Sequence, residues 1–326
     1  MRIYARGSEH YPMLFSKAVE GFILFAESGE YSPAYIPTLH GHLKYITKYF
    51  SDPELESITS DHWQQFWHHL HTEYKPKRFN GNTAPLQPAS IDNYWKTIRS
   101  FYNWATKILS IQRTDLLLKR PKYESPQVQP FTKEEIVRML ESCYYTTVVK
   151  QSGKTYRIKR QNGDRDRALL MILLDTGMRL GELTRLKLGD INLENGEVYI
   201  RPWRSSRKSK GRTVFLGART KQIIWKYIAK QQAKPSQSDP LITLTGASIR
   251  LQIHRIGKNA KVANAHPHKF RHTFAISYLR NGGDVFTLMR LLGHSTLDMV
   301  QRYVAIVKDD LANVHRVASP VDNWQL

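Results

Sequence analysis

Near the C-terminal end of the chain, "LLGHSTLDMVQRYVAIVKDDL" (residues 291–311) sets His294 directly after a glycine and Tyr303 nine positions later. A tyrosine hydroxyl becomes a nucleophile when its proton, with an ordinary pKa of about 10, has somewhere to go. A tyrosine in a helix is more often packing, so the reading depends on what other stretches supply. "TGMRLGEL" places Arg179 just after the helix-breaking Gly177 and three residues before Glu182, the spacing of partners on a helix. Leu180, Leu183, Leu186 and Leu188 put this arginine at a poorly hydrated junction; the plain alternative is a surface salt bridge. "RPWRSSRKSKGR" carries six basic residues in twelve: Arg201, Arg204, Arg207, Lys208, Lys210 and Arg212. Between two expected strands this is a positively charged β-turn suited to phosphate, with one lysine at the reacting group. "HPHKFRHTF" sets His268 and Arg271 three apart, on one face of a helix that Pro267 starts. His268 and His272 have the spacing of two metal ligands. No glutamate lies between them and no cysteine or carboxylate cluster is near, so no metal site is expected.

The chain as a whole narrows the partner. Its 326 residues suffice for two domains, and a hydrophobic share of 41% is that of a folded protein. Lysine and arginine number 49 against 28 acids, a formal charge of +21. Such an excess repels itself unless a polyanion answers it, which points to nucleic acid. The single cysteine, Cys143, excludes a disulfide within the chain and fits a reducing cytoplasm. The first residues hold no long apolar run, so no secretory signal is expected, and "ALLMILL" (168–174) is too short to span a bilayer.

Positioning these residues requires elements that the apolar periodicity outlines. Four amphipathic helices are expected before about residue 115, on stripes such as Leu39, Leu43, Ile46 and Phe50, or Ile91, Tyr94, Ile98, Phe101 and Ala105. Ser60 is a plausible cap of the third. Lys96, Arg99 and Lys107 lie on other faces of the fourth, and His68, His69 and His71 read as a solvated or DNA-facing helix edge. The boundaries predicted are a helical DNA-binding domain over 1–118, an extended linker over 119–130, and a second domain over 131–326. Thr132 with Glu135 forms a capping box that opens the second domain. There "INLENGEVYI" reads as a hairpin turned at Asn195-Gly196, "RTVFLG" as a further strand, and Tyr144–Asp166 as a basic excursion, a hairpin over DNA. In the final helix Ser295 and Asp298 form a capping box. Leu297, Val300 and Val304 form the buried line, with Thr296, Met299 and Tyr303 beside it, so Tyr303 stands at the edge of the buried face.

In order, "TGMRLGEL", "RKSKGR", "HKFR" and "LLGHSTLDMVQRYV" resemble the signature of the tyrosine recombinase (phage integrase) family. The resemblance covers about residues 131–326 well and the N-terminal helices more loosely. It implies a mainly α fold with a small antiparallel β-sheet (α+β), in which an N-terminal helical, SAM-like core-binding domain and a catalytic domain clamp duplex DNA. Arg179 and Arg271 would hold the non-bridging oxygens of the scissile phosphate, and His294 would donate a further hydrogen bond. His268 would assist proton removal from Tyr303, the nucleophile, and a hairpin lysine would protonate the leaving 5′ oxygen. The product is a 3′-phosphotyrosyl intermediate whose bond energy is conserved, so strands rejoin without metal, ATP or other cofactor.

This chain departs from the pattern at two places. Aligned without gaps, the family's lysine falls on Arg207, and an arginine is a poor general acid. Lys208 fits a hairpin one residue shorter and is the assigned acid, with Lys210 the alternative. The residue two after Tyr303 is Ala305 where the family has a histidine or similar. Contacts to DNA are expected from Arg201, Arg204, Arg207, Arg212, Lys96 and Arg99. The implied partners are double-stranded DNA, further copies of the chain in a tetramer on paired sites, and accessory DNA-bending proteins, with no membrane. Integration and excision of a mobile element and Xer-like resolution of chromosome dimers both remain open. A type IB topoisomerase is the alternative; Val317, Val321, Trp324 and Leu326 in the tail favour a recombinase that docks on its neighbour.

Overall fold

The structure is a computed structural model that describes residues 12–76, 81, 83–124, 129–145, 149–151, 154–157, 159–202, 211–231, 235–307, 315 and 319–324. The chain divides into two compact units, Met1–Pro126 and Gln127–Leu326. Among the described residues, no helix is long and apolar enough to cross a membrane.

The first unit is built on four helices: α1 (Phe15–Phe25), α2 (Ile36–Tyr49), α3 (Ser60–Thr72) and α4 (Pro88–Ile108). Each buries the stripe its sequence predicts. Phe15 and Phe22 of α1, Leu39, Leu43 and Ile46 of α2, Trp63 and Phe66 of α3, and Ile98 and Phe101 of α4 are all at most 1% exposed. The cap of α3 is Thr59, one residue earlier than Ser60, because its Oγ1 reaches the His62 N–H. The stretch that follows α4 is not wholly extended linker. Leu118 is buried, Arg120 donates Nε to Asp92 Oδ1 at 2.7 Å, and Tyr123 donates to Asp92 Oδ2 at 3.3 Å. A carboxylate with no exposed side-chain surface needs such partners, and they tie residues 118–123 to α4.

In the second unit, Thr132 and Glu135 exchange the two capping hydrogen bonds and open α5 (Lys133–Ser142). A short hairpin follows, β1 (Val149–Gln151) with β2 (Lys154–Tyr156), in the stretch read as a basic excursion. The core helix α6 (Gly163–Thr176) ends at Gly177, in the left-handed conformation with φ 59°. One turn of helix, α7 (Leu180–Leu183), leads to β3 (Glu197–Ile200), which pairs antiparallel with β4 (Arg212–Phe215). The expected hairpin over 191–200 is reduced to a single bridge, Ile191 with Val198, because residues 188–190 coil into a 3₁₀ turn before the strand can extend. Helices α8 (Ala218–Ala229), α9 (Gly246–Asn259), α10 (Pro267–Arg280), α11 (Val285–Leu292) and α12 (Asp298–Val307) complete the unit, with a last helical turn at Pro320–Trp324. α10 packs against α6 on one side and α12 on the other. It therefore separates the main core from a smaller apolar cluster of Ala275, Ile276, Leu279, Leu288, Leu292, Val300 and Tyr303.

Candidate active site

The site is assembled around the C-terminal end of α11. The last carbonyls of a helix have no partner within it and carry its negative dipole end. Here Gly293 turns the chain out with φ 65°, and the Gly293 and His294 N–H groups bond back to Arg290 and Met289. The left-handed conformation favours a glycine here, and a Cβ would crowd the Arg212 side chain, at 3.0 Å from Nη1. The carbonyls of Leu291 and Leu292 are left pointing outward, and three arginines converge on them. Arg212 donates Nε to Leu291 O at 2.7 Å. Arg271 donates Nη2 to Leu292 O at 2.8 Å, and Arg179 donates Nη1 to the same oxygen at 3.4 Å. Arg271 also donates Nη1 to the carbonyl of Gly177 at 2.8 Å, so two helix ends grip one guanidinium.

Arg271 is 3% exposed. Burial, and then the nearby charge of Arg179, pushes its pKa down to about 9, which still leaves it charged at neutral pH. Its Nη2 lies 2.7 Å from His294 Nε2. An arginine only donates, so His294 accepts on Nε2 and carries its own hydrogen on Nδ1. His294 is 7% exposed, held there by the turn after Gly293.

Glu182 stands behind the arginines. It accepts the Arg179 backbone N–H at 2.7 Å and Arg179 Nη1 at 3.3 Å. More closely, it takes both Nη atoms of Arg212, at 2.8 and 2.7 Å. Burial, the largest single influence, would raise its carboxyl pKa, but Arg212 and Arg179 together outweigh it and hold the pKa below the usual range. Arg212 thus has its guanidinium committed inside the protein, 12% exposed.

Tyr303 lies deeper than its sequence position suggests. Its side chain has no exposed surface, whereas the edge of the buried face was expected. The difference is one of register. The carbonyl of Leu297 takes the first hydrogen bonds of α12, from Val300 and Gln301, so Leu297 precedes the helix and is 41% exposed. The buried row is then Val300 and Tyr303, with Val304 partly covered. For the same reason Ser295 stands too early to cap α12. The Tyr303 hydroxyl is 2.9 Å from Nδ1 of His272, a residue not among those singled out as catalytic. His268 is exposed and stacks on His272, ring centroids 5.8 Å apart.

The remaining candidates lie elsewhere. Arg201 pairs with Asp190 at 2.6 Å on an exposed edge. Lys96 pairs with Asp92 at 2.8 Å, and Arg99 with Asp115 at 3.3 Å, its guanidinium 5.1 Å from the Trp95 ring centre. Lys208, Lys210, Arg204 and Arg207, with the tip of the β3–β4 hairpin, lie outside the described residues.

This geometry is suited to holding an anion. Arg179 keeps Nε and Nη2 uncommitted among the described residues, and a 39% exposed side chain, beside the buried charge of Arg271 and the His294 ring. Such a cluster offers hydrogen-bond donors to an anion, with Tyr303 within electrostatic reach of Arg271.

Comparison with known proteins agrees. Residues 130–309 match the phage integrase family. A tyrosine recombinase XerC of Staphylococcus aureus is 30% identical over 297 residues, 84% of this chain and 93% of that protein. A XerC of Staphylococcus haemolyticus is 32% identical over 246 residues, covering 72% and 76%. Among solved structures, the Tn1549 transposon integrase in complex with transposon right end DNA has a TM-score of 0.68 at 16% identity, covering 94% of this chain and all of that one. A lambda integrase tetramer bound to a Holliday junction has a TM-score of 0.65 at 16% identity, covering 90% and 78%. The chain belongs to the phage integrase family, the tyrosine recombinases.

Proposed function

We propose that this recombinase cleaves and rejoins DNA strands through a 3′-phosphotyrosyl intermediate on Tyr303, without metal or ATP. The observation that carries this is the convergence of Arg179, Arg271 and His294 on the end of α11, with Tyr303 within electrostatic reach of Arg271 and its hydroxyl bonded to His272, the next residue of α10. The scissile phosphate sits against Nε and Nη2 of Arg179 and against Arg271, with His294 Nδ1–H as a further donor. These groups neutralise charge that grows on the non-bridging oxygens as the phenolic oxygen attacks. The Tyr303 proton leaves to a histidine of α10, for which the family resemblance nominates His268. Lys208, or Lys210 as the alternative, protonates the departing 5′ oxygen. The 5′ hydroxyl of another strand then reverses the step.

The substrate is double-stranded DNA, which the net charge of +21 favours. Arg201, Lys96 and Arg99, with the hairpin residues Arg204 and Arg207, contact its backbone. The active assembly is a tetramer on paired sites. Exposed Val321 and Trp324, at 56% and 71%, support a tail that packs on a neighbouring copy. The XerC relatives favour resolution of chromosome dimers, and the transposon and phage integrases of like fold keep integration of a mobile element in view. A nicked suicide duplex tests the chemistry. Wild-type protein becomes covalently joined to it in excess EDTA, and Tyr303→Phe binds but does not join. Trapping by the Phe variant, or a strict need for a divalent ion, refutes the reading.

A further inference from the structure

The Tyr303 ring is fully buried, so its hydroxyl has lost the water that would solvate it as phenol or phenolate. A buried hydroxyl takes a protein partner instead, and here that partner is His272 Nδ1 at 2.9 Å. The rings are tilted by 53° with centroids 5.6 Å apart, an arrangement set by the packing of α12 on α10. Ala275, Ile276 and Leu279 follow His272 at helical spacing and wall the same cluster, so the pair belongs to the interior of the unit. One residue earlier, Arg271 points to Gly177, Leu292 and His294. A single step of α10 therefore presents a cation to the anion site and an imidazole to the tyrosine. His268, one turn earlier and exposed, stacks on His272.

We infer that His272 is a catalytic residue, the base that takes the Tyr303 proton. The inference rests on the proposed role of Tyr303 as nucleophile. In cleavage, the bond between the Tyr303 oxygen and phosphorus forms and the bond from phosphorus to the 5′ oxygen breaks. The phenolic proton passes to Nδ1 of neutral His272, and the 5′ oxygen is protonated by the hairpin lysine. In rejoining, a 5′ hydroxyl attacks phosphorus, its proton returns to the lysine, and the His272 imidazolium gives its proton back to the departing Tyr303 oxygen. His268, the histidine that the family resemblance nominates, is exposed and has its ring contact with His272.

The competing explanation is that the bond only satisfies a buried hydroxyl. His272→Asn separates the two, since an amide oxygen can accept the hydrogen bond at the Nδ1 position but cannot take the proton. The probe is a library of nicked suicide duplexes of randomised sequence. Members trapped by wild type and not by Tyr303→Phe become the substrates for single-turnover trapping. His272→Asn is expected to bind them as wild type does and to trap about 10²- to 10⁴-fold more slowly, the usual contribution of a general base. Replacing Tyr303 with 3,5-difluorotyrosine, whose more acidic hydroxyl needs less help, restores most of that loss. A His272→Asn variant with the wild-type rate, a slow variant that difluorotyrosine does not rescue, or rescue found for His268→Asn in its place overturns the assignment of His272. If wild type traps no duplex, or Tyr303→Phe traps as well, the nucleophile itself is misassigned and the role of His272 falls with it.

Discussion

Replacing Arg212 with methionine should destabilise the second unit more than any other single change among the basic residues of the β3–β4 region. The side chain is nearly the right size, so the loss is electrostatic. Three hydrogen bonds go: two to the Glu182 carboxylate, at 2.8 and 2.7 Å, and one to Leu291 O at 2.7 Å. Glu182 is then left 11% exposed with only the Arg179 donors. Breaking a buried ion pair by removing one partner costs about 3–5 kcal/mol. The low end applies because those two donors remain, and about 3 kcal/mol corresponds to a fall in Tm of roughly 6–12 °C for a unit of this size. The assay is thermal and urea unfolding of the full chain, together with Glu182→Gln and the double variant. Glutamine keeps an acceptor for the Arg179 N–H but carries no charge. The double variant should therefore be more stable than Arg212→Met alone, with a coupling of at least about 1 kcal/mol. If the two single effects add to within about 0.5 kcal/mol, the pair is not the unit described here and the reasoning fails.

Other outcomes follow from the same structure. In the first unit His42 lies 2.8 Å from Thr97 Oγ1 and stacks on Tyr94, and burial lowers its pKa to about 4. Because the unfolded chain protonates near 6.5, the stability this neutral histidine contributes is complete above that pH and is lost as pH falls from there towards 4. Urea midpoints of wild type and His42→Gln should therefore converge over that range, and a constant difference would speak against it. At the hairpin, Lys208→Ala should slow cleavage of ordinary DNA far more than of a 5′-thio-bridged substrate, whose leaving group needs no proton. If Lys210→Ala shows that pattern instead, Lys210 is the acid. Ending the chain after Ser319 should spare binding to one site while weakening cooperative binding and strand exchange between two. Full exchange by the truncated protein would favour a monomeric, topoisomerase-like action.

The helices were legible in the sequence because their stripes repeat over many residues and local caps mark their ends, as Thr132 with Glu135 and the glycines at 177 and 293 show. Tyr303 was misjudged because depth depends on which residue begins the helix. Leu297 precedes the helix and is exposed, so the covered row keeps Val300 and takes in Tyr303, with Val304 only partly covered. The partner of Arg212 lies thirty residues away in sequence, a distance at which spacing says nothing. Yet a signal existed. Arg212 shares strand parity with the buried Val214, and a cation on the inner face of a strand must find an acceptor. His272 left a similar trace, standing at positions i to i+7 with Ala275, Ile276 and Leu279 on the inner stripe of its helix. Reading it as half of a metal-like pair with His268 looked along the helix surface and missed what the inward face meets.

The hold of two backbone carbonyls on Arg271 has a consequence for how the protein answers anions. A carboxylate partner would cancel the charge; the oxygens of Gly177 and Leu292 carry only partial charge and leave most of it uncancelled. Arg179 close by adds repulsion, which is part of why the Arg271 pKa falls to about 9. Glu182 offsets part of this repulsion but spends its closest contacts on Arg212, so an anion bound beside Arg179 and Arg271 would ease the remainder. Sulfate or vanadate, binding the folded state alone, should raise the melting temperature in proportion to the logarithm of its concentration once the site is saturated. If the anion is the phosphate of the proposed reaction, the same repulsion would be eased when DNA binds, and binding would add to the stability of the fold around α11.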